Sequence, residues 1–240
     1  MCTVTYLPIG PSGFILTHSR DEKSIRPAAQ SPRMVNIGGR SVTFPQDPQG
    51  MGTWIAIAAD LTVCLLNGAF VPHQPQPPYK HSRGIVVLDM FDYVSIDAFI
   101  QHYSFTGLEP FTLLLAETGR LTEVRWNGKR LFISEKDTKK PHIWSSVTLY
   151  AAEAVQERVR WFAQWQQQIS YWSVPAIRAF HKTAGDGDAR NSLRMNRQNQ
   201  YFTVSLTSVI SNGRQTEMIY EDLRPQPSIY QNPAYRYAAA

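Results

Sequence analysis

Short strand-like segments joined by tight turns constrain this chain more than any other feature of its sequence. The clearest turn is Asn127-Gly128, which joins Leu121–Trp126 to Arg130–Ser134 and is typical of a two-residue hairpin. Other strand-like segments with turn residues between them are Thr3–Leu7 with Phe14–Thr17, Phe111–Ala116 before Leu121, and Tyr201–Ser211 with Gln215–Tyr220. Segments that follow each other through hairpin turns pair antiparallel, so we expect antiparallel sheets.

The middle of the chain contains runs that are apolar on both faces, as central strands are when other layers cover them. These runs are Trp54–Ala59 and Thr62–Leu66. Helical spacing occurs in the segments Gly84–Tyr93, Ser95–His102, Ala151–Ile169 and Val174–His181. Because groups of strands alternate with helical segments that can cover their outer faces, the sequence predicts an α+β fold, a four-layer αββα sandwich of antiparallel sheets.

Three further expectations concern local structure and domain organisation. We interpret Ser19–Gly39 as a loop because it is polar and contains several prolines. The predicted core-facing stripe of the longest helix consists of Val155, Val159, Phe162, Trp165 and Ile169. Since there is no internal repeat or linker, residues 1–224 are expected to form a single domain, with residues 225–240 as a C-terminal tail that adds little to the core.

The composition excludes several classes of protein. The chain has 240 residues, of which 43% are hydrophobic and 18% charged, as in globular proteins. Its net charge of +5 is spread over several segments without a readable nucleic-acid module, so we expect no nucleic-acid partner. The histidines lack the spacing of metal ligands, and we expect no metal site.

The sequence also predicts where the protein resides. No apolar run approaches the ~20 residues that span a bilayer. The first residues lack the basic region, long apolar stretch and cleavage site of a signal peptide. We therefore expect a cytoplasmic protein with no membrane span.

Cys2 directly follows the initiator methionine. Methionine aminopeptidases remove Met1 when the second residue is small, which leaves a thiol and a free α-amine on one residue. An α-amine with a pKa of about 7.7–8.0 can act as the general base for that thiol. The alternative is a second-position cysteine without a role. Cys64 lies inside an apolar run and is interpreted as a buried small residue.

Two charged residues follow the predicted second strand. Hairpin pairing brings the end of this strand, with Arg20 and Asp21, back alongside Cys2. The cation of Arg20 would lower the thiol pKa, and Asp21 could accept a hydrogen bond from the α-amine. The alternative is a surface turn with a solvated ion pair that contributes little.

Two residues of the central strands are further candidates. Asn67 ends the run Thr62–Leu66, where its side-chain amide can donate to a developing oxyanion; the alternative is ordinary Asn-Gly turn chemistry with Gly68. Trp54 either lines a pocket or packs in the core.

Motifs along most of residues 1–224 match a known family. They are Met1-Cys2-Thr3-Val4, Ser19-Arg20-Asp21-Glu22, Gly52-Thr53-Trp54, Leu66-Asn67-Gly68, Arg83-Gly84, Glu109-Pro110-Phe111 and Thr203-Val204-Ser205. On these motifs the chain resembles the NRDE family, also called the transport-and-Golgi-organisation family. The first position of the family's Asn-Arg-Asp-Glu signature is Ser19 here, whereas the Arg20-Asp21 pair is intact.

The resemblance implies a candidate catalytic site. The family is similar to N-terminal-nucleophile (Ntn) hydrolases that cleave linear amides, such as penicillin V acylases and bile salt hydrolases. Their cysteine, arginine, aspartate and strand-end asparagine correspond by resemblance to Cys2, Arg20, Asp21 and Asn67. Those enzymes also use a later asparagine and arginine. Weaker substrate-binding candidates for these later positions are Ser146, Arg190, Arg194 and Arg197.

Two functions follow as expectations from the residues and the resemblance. The first is a cysteine Ntn hydrolase that cleaves a linear amide or an acyl thioester of a small-molecule acyl substrate, with no cofactor. The alternative is a non-catalytic protein that binds and traffics haem or acyl-CoA and lipid, in which the basic segment Arg190–Arg197 would hold a propionate or a phosphate.

Overall fold

Two antiparallel sheets form the centre of the molecule. The computed structural model describes residues 2–148, 150–224 and 234–239. Its strands are β1 (Cys2–Ile9), β2 (Gly13–Lys23), β3 (Gln30–Ile37), β4 (Arg40–Gln46), β5 (Ile55–Ile57), β6 (Leu61–Asn67), β7 (Phe111–Glu117), β8 (Arg120–Trp126), β9 (Leu131–Glu135), β10 (His142–Ser145), β11 (Asn196–Arg197), β12 (Tyr201–Ser211), β13 (Thr216–Asp222) and β14 (Tyr235–Ala238). The first sheet has the order β10-β1-β2-β12-β13-β14, with β11 paired to β12, and the second runs in chain order from β3 to β9.

The helices fall into two pairs in the sequence. They are α1 (Arg83–Asp89), α2 (Ile96–His102), α3 (Ala152–Gln168) and α4 (Val174–Thr183), and a short 3-10 turn, Met90–Asp92, follows α1. Ser82, Ser95 and Ser173 cap α1, α2 and α4, because each hydroxyl accepts a hydrogen bond from a backbone N–H in the first turn.

Three apolar layers hold the sheets and helices together. Between the sheets, residues such as Val4 and Leu16 pack against Ile55 and Leu114. The outer face of the second sheet packs against α1 and α2, and that of the first sheet against α3 and α4. The order of layers is therefore helix, sheet, sheet, helix, and the predicted αββα sandwich is confirmed.

The prediction of a loop over Ser19–Gly39 is wrong. β2 continues to Lys23, and Gln30–Ile37 forms β3. β2 lies between β1 and β12, and partners on both sides bury its polar residues. Because these buried residues are polar, the segment lacks the apolar pattern by which a strand is recognised in the sequence. β3 is an edge strand with one neighbour, where polar residues and Pro32 are tolerated.

The predicted stripe of α3 is partly wrong. Val159 is 49% exposed, whereas Arg158, one residue before it, is completely buried. The buried residues of α3 are Ala154, Arg158, Trp161 and Phe162, which follow the i, i+4, i+7, i+8 spacing of one helical face. An arginine at a core position is invisible to hydrophobic periodicity.

The C-terminal tail contributes more than expected. Within it, β14 pairs with β13, and Tyr237 and Ala239 pack against the core between the sheets. Residues 225–233 and Ala240 lie outside the described residues, as do Met1 and Leu149. In the described part of the chain, the helices are too short or too polar to cross a bilayer.

A matched pair of valines tests the observed packing. Val63 is 0% exposed beneath α1 and α2, and Val159 is 49% exposed on α3. Val63→Ala should lower the free energy of unfolding by roughly 1.5–3 kcal/mol, since it removes buried methyl groups and leaves a cavity. Val159→Ala should change it by less than about 0.5 kcal/mol. Urea unfolding of both variants measures this; equal losses would contradict the packing.

Candidate active site

The pairing of β1 with β2 positions Cys2. Cys2 lies opposite Arg20, and Thr3 lies opposite Ser19. Because side chains alternate along a strand, Cys2 and Arg20 face the second sheet, whereas Thr3 and Ser19 face the helices. Cys2 is buried within the apolar cluster between the sheets, together with Cys64 and Trp54. The prediction that the hairpin brings Arg20 alongside Cys2 is therefore confirmed.

Arg20 is held by an aromatic ring and two carboxylates. The centre of its guanidinium lies 4.3 Å from the centroid of the Trp54 ring. Its Nη2 lies 3.3 Å from Asp47 Oδ2 and 3.5 Å from Glu22 Oε2. Arg26 shares both carboxylates, so two guanidinium groups and two carboxylates form one network beside Cys2. Such a network fixes the orientation of Arg20 more firmly than a single exposed ion pair would.

Cys2 opens into a cavity of about 120 Å³. Arg20 and Asn67 also line it, so three of the four residues that resemble a catalytic site converge there. The remaining lining residues are Glu22, Arg26, Asp47, Gly52, Thr53, Trp54, Leu65, Ser82, Arg83 and Gly84. Trp54 thus belongs both to the cavity wall and to the core, which combines the two interpretations of this residue.

Glycines form one wall of this cavity. Gly52 and Gly84 lie so close that a Cβ on Gly52 would approach the carbonyl carbon of Gly84 to 2.2 Å. The backbone N–H of Thr53 donates to the Gly84 carbonyl at 3.0 Å, which ties the start of α1 to the segment before β5. Beside them, Arg83 pairs with Glu109 at 3.1 Å. The wall is therefore built from backbone that cannot accept larger side chains.

Asn67 is fixed by its backbone. It is the last residue of β6 and pairs with Phe111 of β7. Its carbonyl accepts a hydrogen bond from Ser146 Oγ at 2.7 Å, and the Ser146 N–H donates to the Cys2 carbonyl at 2.9 Å. Ser146 thus links the end of β6 in one sheet to the start of β1 in the other. It is buried behind the strands and lies outside the cavity lining.

Asp21 faces the other side of the first sheet. Its Oδ2 accepts a hydrogen bond from the Tyr150 hydroxyl, and its Oδ1 accepts one from Thr203 Oγ1 at 2.6 Å. Because Cys2 pairs with Arg20, Asp21 lies one position further, on the side of the Cys2 backbone nitrogen. Asp21 is therefore close to the start of β1 without lining the cavity itself.

Burial dominates the electrostatics of the site. It raises the pKa of the Cys2 thiol; Asp21 adds to this effect and Arg20 opposes it. Burial also raises the pKa of Asp21, against the charge of Arg158 and the hydrogen bonds from Thr203 and Tyr150. Burial lowers the pKa of nearby His18 to about 3, so this imidazole is neutral and only weakly basic. The thiol at neutral pH thus needs a base other than His18.

The other predicted residues lie elsewhere. Arg190 is exposed and pairs with Asp188 at 3.0 Å, and Arg194 is exposed as well. The guanidinium carbon of Arg197 lies 5.6 Å from the centroid of the Tyr150 ring, on the helix side of the first sheet. Of these three arginines, only Arg197 approaches a residue that contacts Asp21.

Several residues around the site carry little signal that the sequence alone reveals. Asp47 and Arg26 line the cavity but lie in segments without a recognisable pattern. Tyr150, just before α3, contacts Asp21, and Arg158 of α3 contacts Thr3; both contacts join residues far apart in sequence. The only available signal was Arg158 itself, a charged residue at a spacing that belongs to the buried face of α3.

Comparisons with known proteins agree with this architecture. A family model described as Transport and Golgi organisation 2 matches residues 1–173. No protein with a curated description matches the chain by sequence. Among solved structures, the chain is similar to a variant of conjugated bile acid hydrolase from Clostridium perfringens, with a TM-score of 0.54, 9% identity, and coverage of 98% of this chain and 97% of that one. This likeness shows an Ntn-hydrolase fold.

Replacing Arg20 tests its effect on the thiol. Arg20→Gln removes a cation that lowers the Cys2 pKa, so less thiolate should be present at neutral pH. Alkylation of Cys2 by iodoacetamide, followed by peptide mass spectrometry, should slow by roughly three- to ten-fold, and its pH profile should move to higher pH. Arg190→Gln is the matched control on the surface and should leave the rate unchanged. An unaltered profile in Arg20→Gln would show that Arg20 does not act on the thiol.

Proposed function

The chain belongs to the Transport and Golgi organisation 2 family, and from this premise we propose that it is a cysteine Ntn hydrolase that cleaves a linear amide or an acyl thioester. The observation that carries the proposal is the convergence of Cys2, Arg20 and Asn67 on one cavity. The fold supports it, since a solved structure that shares this fold is itself named a hydrolase. A fold alone does not fix an activity, so the proposal depends on the site.

The nucleophile is the sulfur of Cys2 once Met1 has been removed. Because burial raises the thiol pKa, the sulfur carries its proton at neutral pH and needs a base. The freed α-amine of the same residue takes that proton while the sulfur attacks the substrate carbonyl carbon. As the C–S bond forms, the carbonyl electrons move to oxygen, and the side-chain amide of Asn67 donates to this oxyanion.

The second half of the reaction releases the two products. Collapse of the tetrahedral intermediate breaks the bond to the leaving group, which takes the proton from the α-ammonium and departs as an amine or a thiol. A thioester remains on Cys2. Water, deprotonated by the α-amine, then attacks this thioester, and the proton returns to the sulfur as the carboxylic acid leaves. The cycle needs no cofactor.

Binding and trafficking of haem or acyl-CoA is the alternative and stays a prediction. It rests on the basic segment Arg190–Arg197. Arg190 is paired with Asp188, and neither Arg190 nor Arg194 lines the Cys2 cavity. We therefore favour hydrolysis, whose candidate residues share one cavity.

Turnover by cysteine variants tests the proposal. In a panel of small acyl amides and acyl thioesters, Cys2→Ala should lose activity by roughly 10³-fold or more, because the substitution removes the attacking sulfur. Cys64→Ala is the matched control, since Cys64 is buried in the same cluster but is not part of the cavity lining. Its kcat should stay within a few fold of the wild type. Equal turnover by wild type and Cys2→Ala would end the proposal.

The oxyanion donor is tested separately. Asn67→Ala should lower kcat by about 10²–10³-fold, the usual cost of one lost oxyanion donor. The fold should persist, because the described contact of Asn67 with Ser146 uses the backbone carbonyl. Asn36→Ala, on the exposed face of the edge strand β3, is the matched control and should be neutral. A normal kcat in Asn67→Ala would remove this residue from the mechanism.

A further inference from the structure

Arg158 is a buried cation behind the nucleophile. It is 0% exposed and reaches the first sheet from α3. Its Nη1 donates to Thr3 Oγ1 at 2.5 Å, and its Nη2 donates to the Ser192 carbonyl at 2.8 Å. Nε and Nη2 both donate to the Asn191 carbonyl at 3.1 Å. Because an unpaired buried charge is very costly, a cation at this position needs a nearby anion as well as these neutral acceptors.

Asp21 is the anion that faces Arg158. Tyr150 connects the two: its hydroxyl donates to Asp21 Oδ2, while the guanidinium carbon of Arg158 lies 3.6 Å from the centroid of its ring. Thr203 of β12 donates to the other carboxylate oxygen. Cys2 and Arg20 approach Asp21 from β1 and β2. Asp21 thus lies between the positive charges of Arg158 on the helix side and Arg20 on the cavity side.

Arg158 and Asp21 lie on either side of the start of β1. Arg158 holds Thr3, the residue after the nucleophile. Asp21 lies beyond the Cys2–Arg20 pair, on the side of the Cys2 nitrogen. One polar cluster therefore lies next to both ends of the Cys2 residue. Its members are Thr3, Asp21, Tyr150, Arg158 and Thr203.

We propose that Arg158 is a positioning residue for the reaction: its charge attracts the Asp21 carboxylate and its guanidinium holds Thr3, so that Asp21 anchors the freed α-amine of Cys2 with its lone pair directed at the thiol. This inference rests on the proposed function. Without the cation, Asp21 takes up a proton at a higher pH, and the amine loses the partner that orients it. Arg158 does not line the Cys2 cavity.

Activity as a function of pH distinguishes this role from a merely structural one. Arg158→Met should lower kcat/KM at pH 7 by about 100-fold and move the acid limb of its pH profile to higher pH, because Asp21 is then protonated over a wider range. Arg158→Lys keeps the charge and should restore kcat/KM to within about ten-fold of the wild type, with the acid limb in its original place. A folded Arg158→Met variant with a wild-type profile would overturn the inference.

A double variant tests whether Arg158 acts through Asp21. In an Asp21→Asn background, Arg158→Met should cause little further loss of kcat/KM, whereas losses that multiply would contradict the inference. Circular dichroism checks folding; if Arg158→Met does not fold, Arg158→Lys decides, and a displaced acid limb in that variant counts against the inference. Turnover that is unaffected by Cys2→Ala would defeat the proposed function, while Cys2-dependent turnover that ignores Arg158 would defeat only this inference.

Discussion

The antiparallel pairing of β1 with β2 is the constraint on which the site depends. It places Cys2 opposite Arg20 on the face between the sheets, and it places Asp21 on the opposite face, one position beyond. A shift of one residue in this register would exchange the two faces and bury the wrong set of side chains. β12 on the far side of β2 and β10 on the far side of β1 hold the pair in the interior of the first sheet.

The first sheet separates two groups of charged residues, one on each of its faces. On the cavity side, Arg20, Arg26, Glu22 and Asp47 form a network beside Cys2. On the helix side, Asp21 is enclosed by hydrogen-bond donors and a buried cation. The backbone of β1 and β2 lies between the two groups. The surroundings on each face can therefore set the pKa values of its own group. The thiol, in contrast, is raised in pKa by burial on the cavity side.

Local patterns in the sequence are sufficient to predict the fold and the residues that the first hairpin brings to the site. Hairpin turns and apolar runs predict the antiparallel sheets, and the first hairpin alone predicts the approach of Arg20 to Cys2. Periodicity fails where polar residues are buried: β2 looks like a loop after Thr17, and Arg158 looks like a surface residue. Contacts such as Tyr150 with Asp21 join segments far apart in sequence, and no local pattern encodes them.

The central claim is that Cys2 acts as the first residue of the mature chain. Intact-mass and N-terminal peptide analysis of the protein, after a brief incubation with an activated acyl ester, tests it most directly. We expect a chain that begins at Cys2 and carries the acyl group on that sulfur, while the Cys64 peptide keeps its unmodified mass. A protein that retains Met1, or that acquires the acyl group equally on Cys64, would contradict it.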